Sequence, residues 1–300
     1  MNDNKKVVVI LVNYNNSEDT IETIASIKKS TVPVDIVVVD NASIKSDFIE
    51  LERHVANDML LLRSESNVGF AGGNNLAIRE ALENNSYDYF LLLNNDTVIA
   101  EDMIEKLLEY SGSETIVVPK MLYYASPDII WYGGGKINRL TGRAEHVDMG
   151  VKEKNSKLKI PCQTLFATGC CMLIPKNVFK RIGLLDETYF MYCEDTEFCL
   201  RANKFGIKIL YQPYAKLWHK VSRSTGGGDS DFSLYYMTRN RLRYISDYKN
   251  QFYIIAKIVT KFTRYIRIIQ YSFSDPTRSR AILKGLQDSN KGVKGAVPLV

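Results

Sequence analysis

Four short apolar runs, each followed by polar residues and a stretch of helical periodicity, dominate residues 1–120. That alternation leaves few folds open to the chain. Val7–Val12 is continuously apolar, as a parallel strand buried on both faces must be. Ile36–Val39, Leu60–Leu62 and Tyr89–Leu93 repeat the pattern, and helices are predicted between them at Ser17–Lys29, Lys45–Ala56 and Asn74–Glu83. Ser17 is the expected cap of the first helix, with Asp19 and Glu22 suited to the positive end of its dipole. The β-α-β-α-β-α-β series predicts an α/β domain with a mostly parallel sheet.

In open sheets of this kind ligands lie beyond the carboxyl ends of the strands. Asn13-Tyr14-Asn15 follows the first run, Asp40-Asn41 the second and Asn94-Asn95-Asp96 the fourth. All are polar and fall on one edge, which is therefore the expected site. Past Ile129 the character changes. Gly133-Gly134-Gly135 and Thr141-Gly142 suggest hairpins, Gln163–Pro175 a long strand, and Lys176–Ile182, Asp195–Phe205 and Phe232–Tyr248 helices. With no repeat or low-complexity linker, residues 1–249 are expected to form one domain and residues 250–300 a basic helical tail.

The charge distribution narrows the partners. Residues 251–300 carry nine Lys/Arg against two Asp/Glu, within a chain whose net charge is only +5. A near-neutral body with a basic tail argues against nucleic-acid binding and points to an anionic surface, with phospholipid first. The five Cys contain no C-x-x-C pair and are expected to be reduced. The N-terminal apolar stretch is too short for a signal peptide, and no run of about 18 apolar residues predicts a membrane span. A cytoplasmic protein is the expectation.

The motifs then divide the chemistry. The first strand–helix turn, Asn13-Tyr14-Asn15-Asn16, lacks the glycines of a dinucleotide fold, and no P-loop occurs. Asp40 is placed either to accept hydrogen bonds from a base or ribose or to cap the helix that follows. Asn67-Val68-Gly69-Phe70-Ala71-Gly72-Gly73-Asn74-Asn75 leads into a helix expected to begin near Asn74. Its glycines suit a phosphate cradle at the helix N-terminus, or simply a tight turn. Asp96, on a rigid strand end, is suited to a hard divalent cation. Glu194-Asp195-Thr196-Glu197 opens a helix, where acids also serve as ordinary caps, and His219 ends a strand-like run.

Taken in order, VNYNN, VVVDNAS, NVGFAGGNN, LLLNNDTV, TGCCMLIPKNVFKRIGLLDETYFMYCEDTEFCLR, WHKVSRSTGG and YYMTRNRLRY resemble the family 2 glycosyltransferases, inverting enzymes of the GT-A fold. The nearest resemblance is to their rhamnosyltransferase-like branch, and it covers nearly the whole chain. It implies a nucleotide-binding half over 1–120 and an acceptor and catalytic half over 121–249. Asn13, Tyr14 and Asp40 would contact the nucleotide of a dTDP- or UDP-sugar, with Asn15, Asn41, Asn67, Gly69, Asn74, Asn94 and Asn95 around the donor. Asp96 carries the D-x-D-like motif, here N-N-D, and His219 completes a site for Mg²⁺ or Mn²⁺. Asp195 corresponds to the catalytic base, with Glu194 beside it.

The resemblance also implies hexosyl transfer to a glycan or lipid-linked glycan of a cell-surface polysaccharide. Thr168-Gly169 is expected on the acceptor side. Arg239-Asn240 and Ser222–Gly228, as a lid or else a plain surface loop, are expected over the donor phosphates. In the tail, Lys257, Lys261, Arg264 and Arg267 mark one helical face and Ile255, Ile258, Val259, Phe262 and Ile266 much of the rest. That pattern suits an in-plane helix on the inner face of the cell membrane, or packing against protein, a second copy included. A sugar nucleotidyltransferase would need a Gly-rich basic loop after the first strand, which is absent. A non-catalytic sugar-binding relic would have lost the acids that Asp40, Asp96 and Asp195 retain.

Overall fold

The structure, a computed structural model, describes residues 5–55, 59–83, 86–221 and 229–298. The first half runs β1 (Val7–Asn13), α1 (Ser17–Ile27), β2 (Asp35–Asp40), α2 (Lys45–His54), β3 (Leu60–Arg63), α3 (Gly69–Glu83), β4 (Tyr89–Leu93), β5 (Thr97–Ile99) and α4 (Met103–Glu109). Strands β6 (Thr115–Tyr123), β7 (Ser126–Tyr132), β8 (Gly135–Ile137), β9 (Ala144–His146), β10 (Cys162–Gln163) and β11 (Cys171–Pro175) follow. The chain then gives α5 (Lys176–Ile182), α6 (Glu194–Lys204), β12 (Lys208–His219), α7 (Asp231–Asp247), α8 (Ala256–Ser274) and α9 (Pro276–Lys291).

The main sheet has the order β10-β12-β6-β11-β4-β1-β2-β3. Strands β4, β1, β2 and β3 are mutually parallel, as the α/β expectation requires, and β11 is inserted antiparallel between β4 and β6. Val8–Leu11 are fully buried because helices cover both faces of the sheet. The β1–β2 register pairs Asn13 with Asp40, which brings the polar ends of the strands to one edge.

Three local expectations are corrected. Ser17 does not cap α1 but is its first residue; its amide donates to Asp47 Oδ1 on α2 at 2.8 Å. The Gln163–Pro175 strand is broken into β10 and β11, and the break carries Thr168 and Gly169 into a cavity. Helix α3 begins at Gly69, five residues before Asn74. Its glycines permit close packing: a Cβ on Gly73 would lie 2.7 Å from Val12 Cγ1, and one on Gly69 would lie 2.0 Å from the Phe190 carbonyl oxygen.

The tail is two helices folded back on the body. Tyr235 on α7 donates to Asp288 on α9 at 2.7 Å, and Thr260 on α8 donates to the Thr141 carbonyl at 2.9 Å. Helix α8 is inverted in polarity. Ala256, Thr260 and Arg264 face the protein, whereas Ile258, Phe262, Ile269 and Phe273 are 62–89% exposed. Among the described residues no helix is long and apolar enough to cross a membrane.

Candidate active site

The strand ends open onto a cavity of about 770 Å³, within the range of small-molecule sites. Tyr14, Asn41, Asn67, Gly69, Asn74, Asn94, Asn95 and Asp96 line it from the first half of the chain. Thr168, Gly169, Glu194, Asp195 and His219 line it from the second.

Not every expected donor residue reaches the cavity. Asn13 and Asp40 are fully buried. Asn13 Nδ2 lies 2.8 Å from Asp47 Oδ2 and 3.2 Å from both Asp40 Oδ1 and Ser43 Oγ. Asp40 Oδ2 accepts from the Ser43 amide, and Asn15, with φ of +52°, accepts from the Ile44 amide. These side chains fix the loops that present Tyr14 and Asn41. The phosphate cradle at the start of α3 is also corrected, because its three leading amides are already spent. Val68 donates to Asn41 Oδ1, Gly69 to Asn67 Oδ1 and Phe70 to the Phe190 carbonyl.

Asp96 and His219 come together as expected. His219 Nε2 is 3.1 Å from Asp96 Oδ1, both residues are buried, and Asp96 Oδ1 has no hydrogen-bond partner. Two neighbouring ligands of an octahedral cation with bonds of about 2.1 Å lie about 3 Å apart, so the pair fits a divalent ion. The edge of Trp131 against the His219 ring, with centroids 4.4 Å apart, fixes its orientation. No third His, Cys, Asp or Glu joins them among the described residues. Further ligands would come from substrate and water, the usual arrangement where a metal bridges phosphates.

Asp195 sits in the first turn of α6. Its Oδ2 accepts from the Gly169 amide at 3.0 Å and its Oδ1 from the Thr196 amide at 2.6 Å. Burial raises its pKa above the ordinary aspartate value, and these amides oppose the rise. Glu194 is buried more deeply, and burial followed by the Asp195 charge raises its pKa well above the usual range. Its Oε2 accepts no hydrogen bond, consistent with a protonated carboxyl. The turn entering α6 is strained, with Phe190, Tyr192 and Cys193 all at φ between +63° and +73°. Asn240 on α7 holds it, donating to the carbonyls of Tyr189, Met191 and Tyr192 at 3.1, 2.9 and 2.8 Å.

Asn240, fully buried and committed to that turn, is not at the donor phosphates, and neither is Arg239. Arg239 is 1% exposed, its nitrogens donate to Asn240 Oδ1, Gly295 O and Tyr189 O, and its guanidinium lies over the Tyr235 and Tyr236 rings. Residues i and i+4 share a helical face, so Arg243 turns with it toward Tyr189, while Arg241 faces the cavity. Trp131, Arg143, His146 and Met149 also line the cavity and carry no motif that would have marked them. The expected lid, Ser222–Gly228, lies outside the described residues.

The sequence profile of Glycosyl transferase family 2 matches residues 8–183 of the chain. The chain belongs to that family. The low-salt glycan biosynthesis hexosyltransferase Agl10 of Haloferax volcanii is 30% identical over 244 residues, 78% of this chain and 73% of that protein. The dTDP-rhamnosyl transferase RfbF of Shigella flexneri is 26% identical over 223 residues, 73% of this chain and 70% of that one. Among solved structures, GalNAc-T7 with UDP, GalNAc and Mn²⁺ superposes with a TM-score of 0.62 at 19% identity, covering 97% of this chain and 55% of that one. The GT-A fold, the family 2 glycosyltransferase assignment and sugar transfer as the activity are thus borne out.

Proposed function

We propose that this family 2 glycosyltransferase transfers a hexose, with rhamnose favoured by its relatives, from a dTDP- or UDP-sugar to a hydroxyl of a glycan or lipid-linked glycan. The observation that carries this reading is one cavity holding both a carboxylate of raised pKa, Asp195, and the Asp96–His219 pair. Tyr14, Asn41, Asn67, Asn74, Asn94 and Asn95 form the donor side, with Asn13, Asn15 and Asp40 setting their positions.

Asp195 takes the proton from the acceptor hydroxyl as that oxygen attacks the anomeric carbon. The bond from that carbon to the diphosphate breaks on the opposite face, the nucleoside diphosphate leaves with the electron pair, and the configuration inverts. Gly169 and Thr196 keep the carboxylate aimed by holding both its oxygens. Burial and the Asp195 charge work against a second negative charge on Glu194. A divalent cation, Mn²⁺ or Mg²⁺, held by Asp96 and His219 would neutralise charge on the leaving diphosphate.

The reading extends to location. Residues 249–274 contain five Lys/Arg and no acid. On α8, Lys257 and Lys261 border the outward strip of Ile258, Phe262, Ile269 and Phe273. Apolar side chains flanked by cations suit an in-plane helix on an anionic leaflet. The deciding experiment is donor turnover by purified protein with UDP-, dTDP- and GDP-sugars in Mn²⁺, Mg²⁺ or EDTA. Metal-dependent turnover of one donor, lost in Asp195→Asn without loss of binding, establishes the reading; no binding of any donor overturns it.

A further inference from the structure

Three arginines converge where α7, α8 and the Asn138–Ala144 hairpin meet. Arg143 and Arg241 line the cavity, and Arg264 reaches inward from α8 with only 4% of its surface exposed. Among the described residues none of the three forms an ion pair with a carboxylate. The Nε atoms of Arg241 and Arg264 are buried and donate to no partner, leaving two charge-bearing donors unspent in the interior. Burial, with the charges of Arg241, Arg267 and Arg143, pushes the Arg264 pKa down to about 9. Both Arg241 and Arg264 act electrostatically on Cys193, two residues before Asp195, so the cluster adjoins the base.

An uncompensated buried guanidinium is costly, and a fold keeps one such as Arg264 beside the half-buried Arg241 and the exposed Arg143 where a ligand supplies the opposite charge. Guanidinium geometry matches the oxygens of a phosphate, which accepts several charge-assisted hydrogen bonds at once. The rest of α8 identifies what else the ligand carries. The helix that turns Arg264 inward, beside the cavity-lining Arg143 and Arg241, turns Ile258, Phe262 and Phe273 outward. One element thus offers a cation to an anion inside and an apolar strip to a hydrocarbon phase outside.

We propose that Arg143, Arg241 and Arg264 form an anion subsite that takes the phosphate of a lipid-linked acceptor and directs its sugar hydroxyl to Asp195. This rests on the transfer reading above for the role of Asp195, but the anion subsite is tested without it. The test is equilibrium binding of farnesyl diphosphate and of inorganic pyrophosphate to the full chain in EDTA, which silences the metal site. Farnesyl diphosphate is expected to bind more tightly than pyrophosphate, and Arg143→Gln and Arg241→Gln each to weaken it about tenfold or more. Arg143 is exposed, so its loss does not threaten folding. Tyr14→Ala and Asn41→Ala, on the donor side, are expected to leave the affinity unchanged. Undiminished binding in both arginine variants, or equal losses in the donor-side variants, overturns the subsite. Pyrophosphate binding as tightly as farnesyl diphosphate overturns the lipid-linked acceptor and assigns the cluster to a free anion. Arginine-dependent binding without turnover of any nucleotide-sugar would leave the subsite standing and remove the transfer reading instead.

Discussion

The backbone amide of Gly169 donates to Asp195 Oδ2 across a gap in which no larger residue fits: a Cβ on Gly169 would lie 2.9 Å from the Phe70 ring. This contact and the Thr196 donors restrain a pKa that burial raises. A base must be ionised to act, so kcat/KM is expected to fall as pH drops through a value above the ordinary 3.8 of aspartate. Thr196→Val removes the hydroxyl donor to Oδ1, 3.2 Å away, and should move that limb to higher pH. Asp195→Asn should lower kcat by about 10²- to 10⁴-fold. A pH–rate profile of the three proteins checks both, and an unmoved limb in Thr196→Val would count against Asp195 as the base.

Glu194 gives the opposite result on stability. Its folded pKa lies well above the usual 4.5, so the folded state gains relative to the unfolded state as pH falls. Stability from this group is present below about 4.5 and is lost as pH rises toward its folded pKa. Glu194→Gln should therefore melt higher than the parent at neutral pH, with the difference vanishing in acid. Because Gln keeps the shape of Glu and brings no charge beside Asp195, the variant should keep most of its turnover. Thermal melts across pH, paired with rates, measure both.

Asp96→Asn and His219→Ala should each weaken Mn²⁺ binding by at least about tenfold, while the fold is retained. Titration of the purified protein with Mn²⁺ by electron paramagnetic resonance reads this without any substrate. Unchanged affinity in both variants would remove the proposed metal pair.

Asn240 should matter more than its distance from the chemistry suggests. Asn240→Ala removes a donor shared by three carbonyls, of which Tyr189 O keeps Arg239, around a turn of left-handed residues, a loss of about 2–3 kcal/mol at roughly 1 kcal/mol per bond plus desolvation. Urea unfolding measures the loss. A kcat reduced with KM for the donor unchanged would separate misplacement of Asp195 from damage to the donor side.

For the membrane reading, Phe262→Glu and Phe273→Glu place charge in the outward strip of α8 without touching its inward face. Co-sedimentation with phosphatidylglycerol vesicles should fall severalfold in both variants and weaken with added salt. Equal sedimentation of parent and variants would overturn it.

The parallel core was legible because buried strands read as unbroken apolar runs, and Val7–Leu11 and Phe90–Leu93 lie where that pattern put them. The Asp96–His219 meeting, 123 positions apart in sequence, followed from family resemblance and not from any spacing. Arginine placement was not legible. Arg239, Arg241 and Arg243 alternate around α7, and only the packing of Tyr189, Tyr235 and Tyr236 decides which one faces the cavity. The glycines of α3 misled for a related reason. Their absent side chains serve contact with Val12 and Val68, which local sequence does not reveal.

Helix α8 turns its polar side to its own protein and its apolar side away from it. Its seating joins the buried Ala256, packed with Tyr244 and Phe252, to polar contacts such as Thr260 to Thr141 on the body and Lys261 to Asn290 on α9. On the membrane reading proposed above, part of the free energy that keeps it in place would be drawn from the lipid it touches outside. A melting temperature taken in plain buffer would describe the enzyme with one of its two solvents missing, and lipid would act on it as a component of the fold.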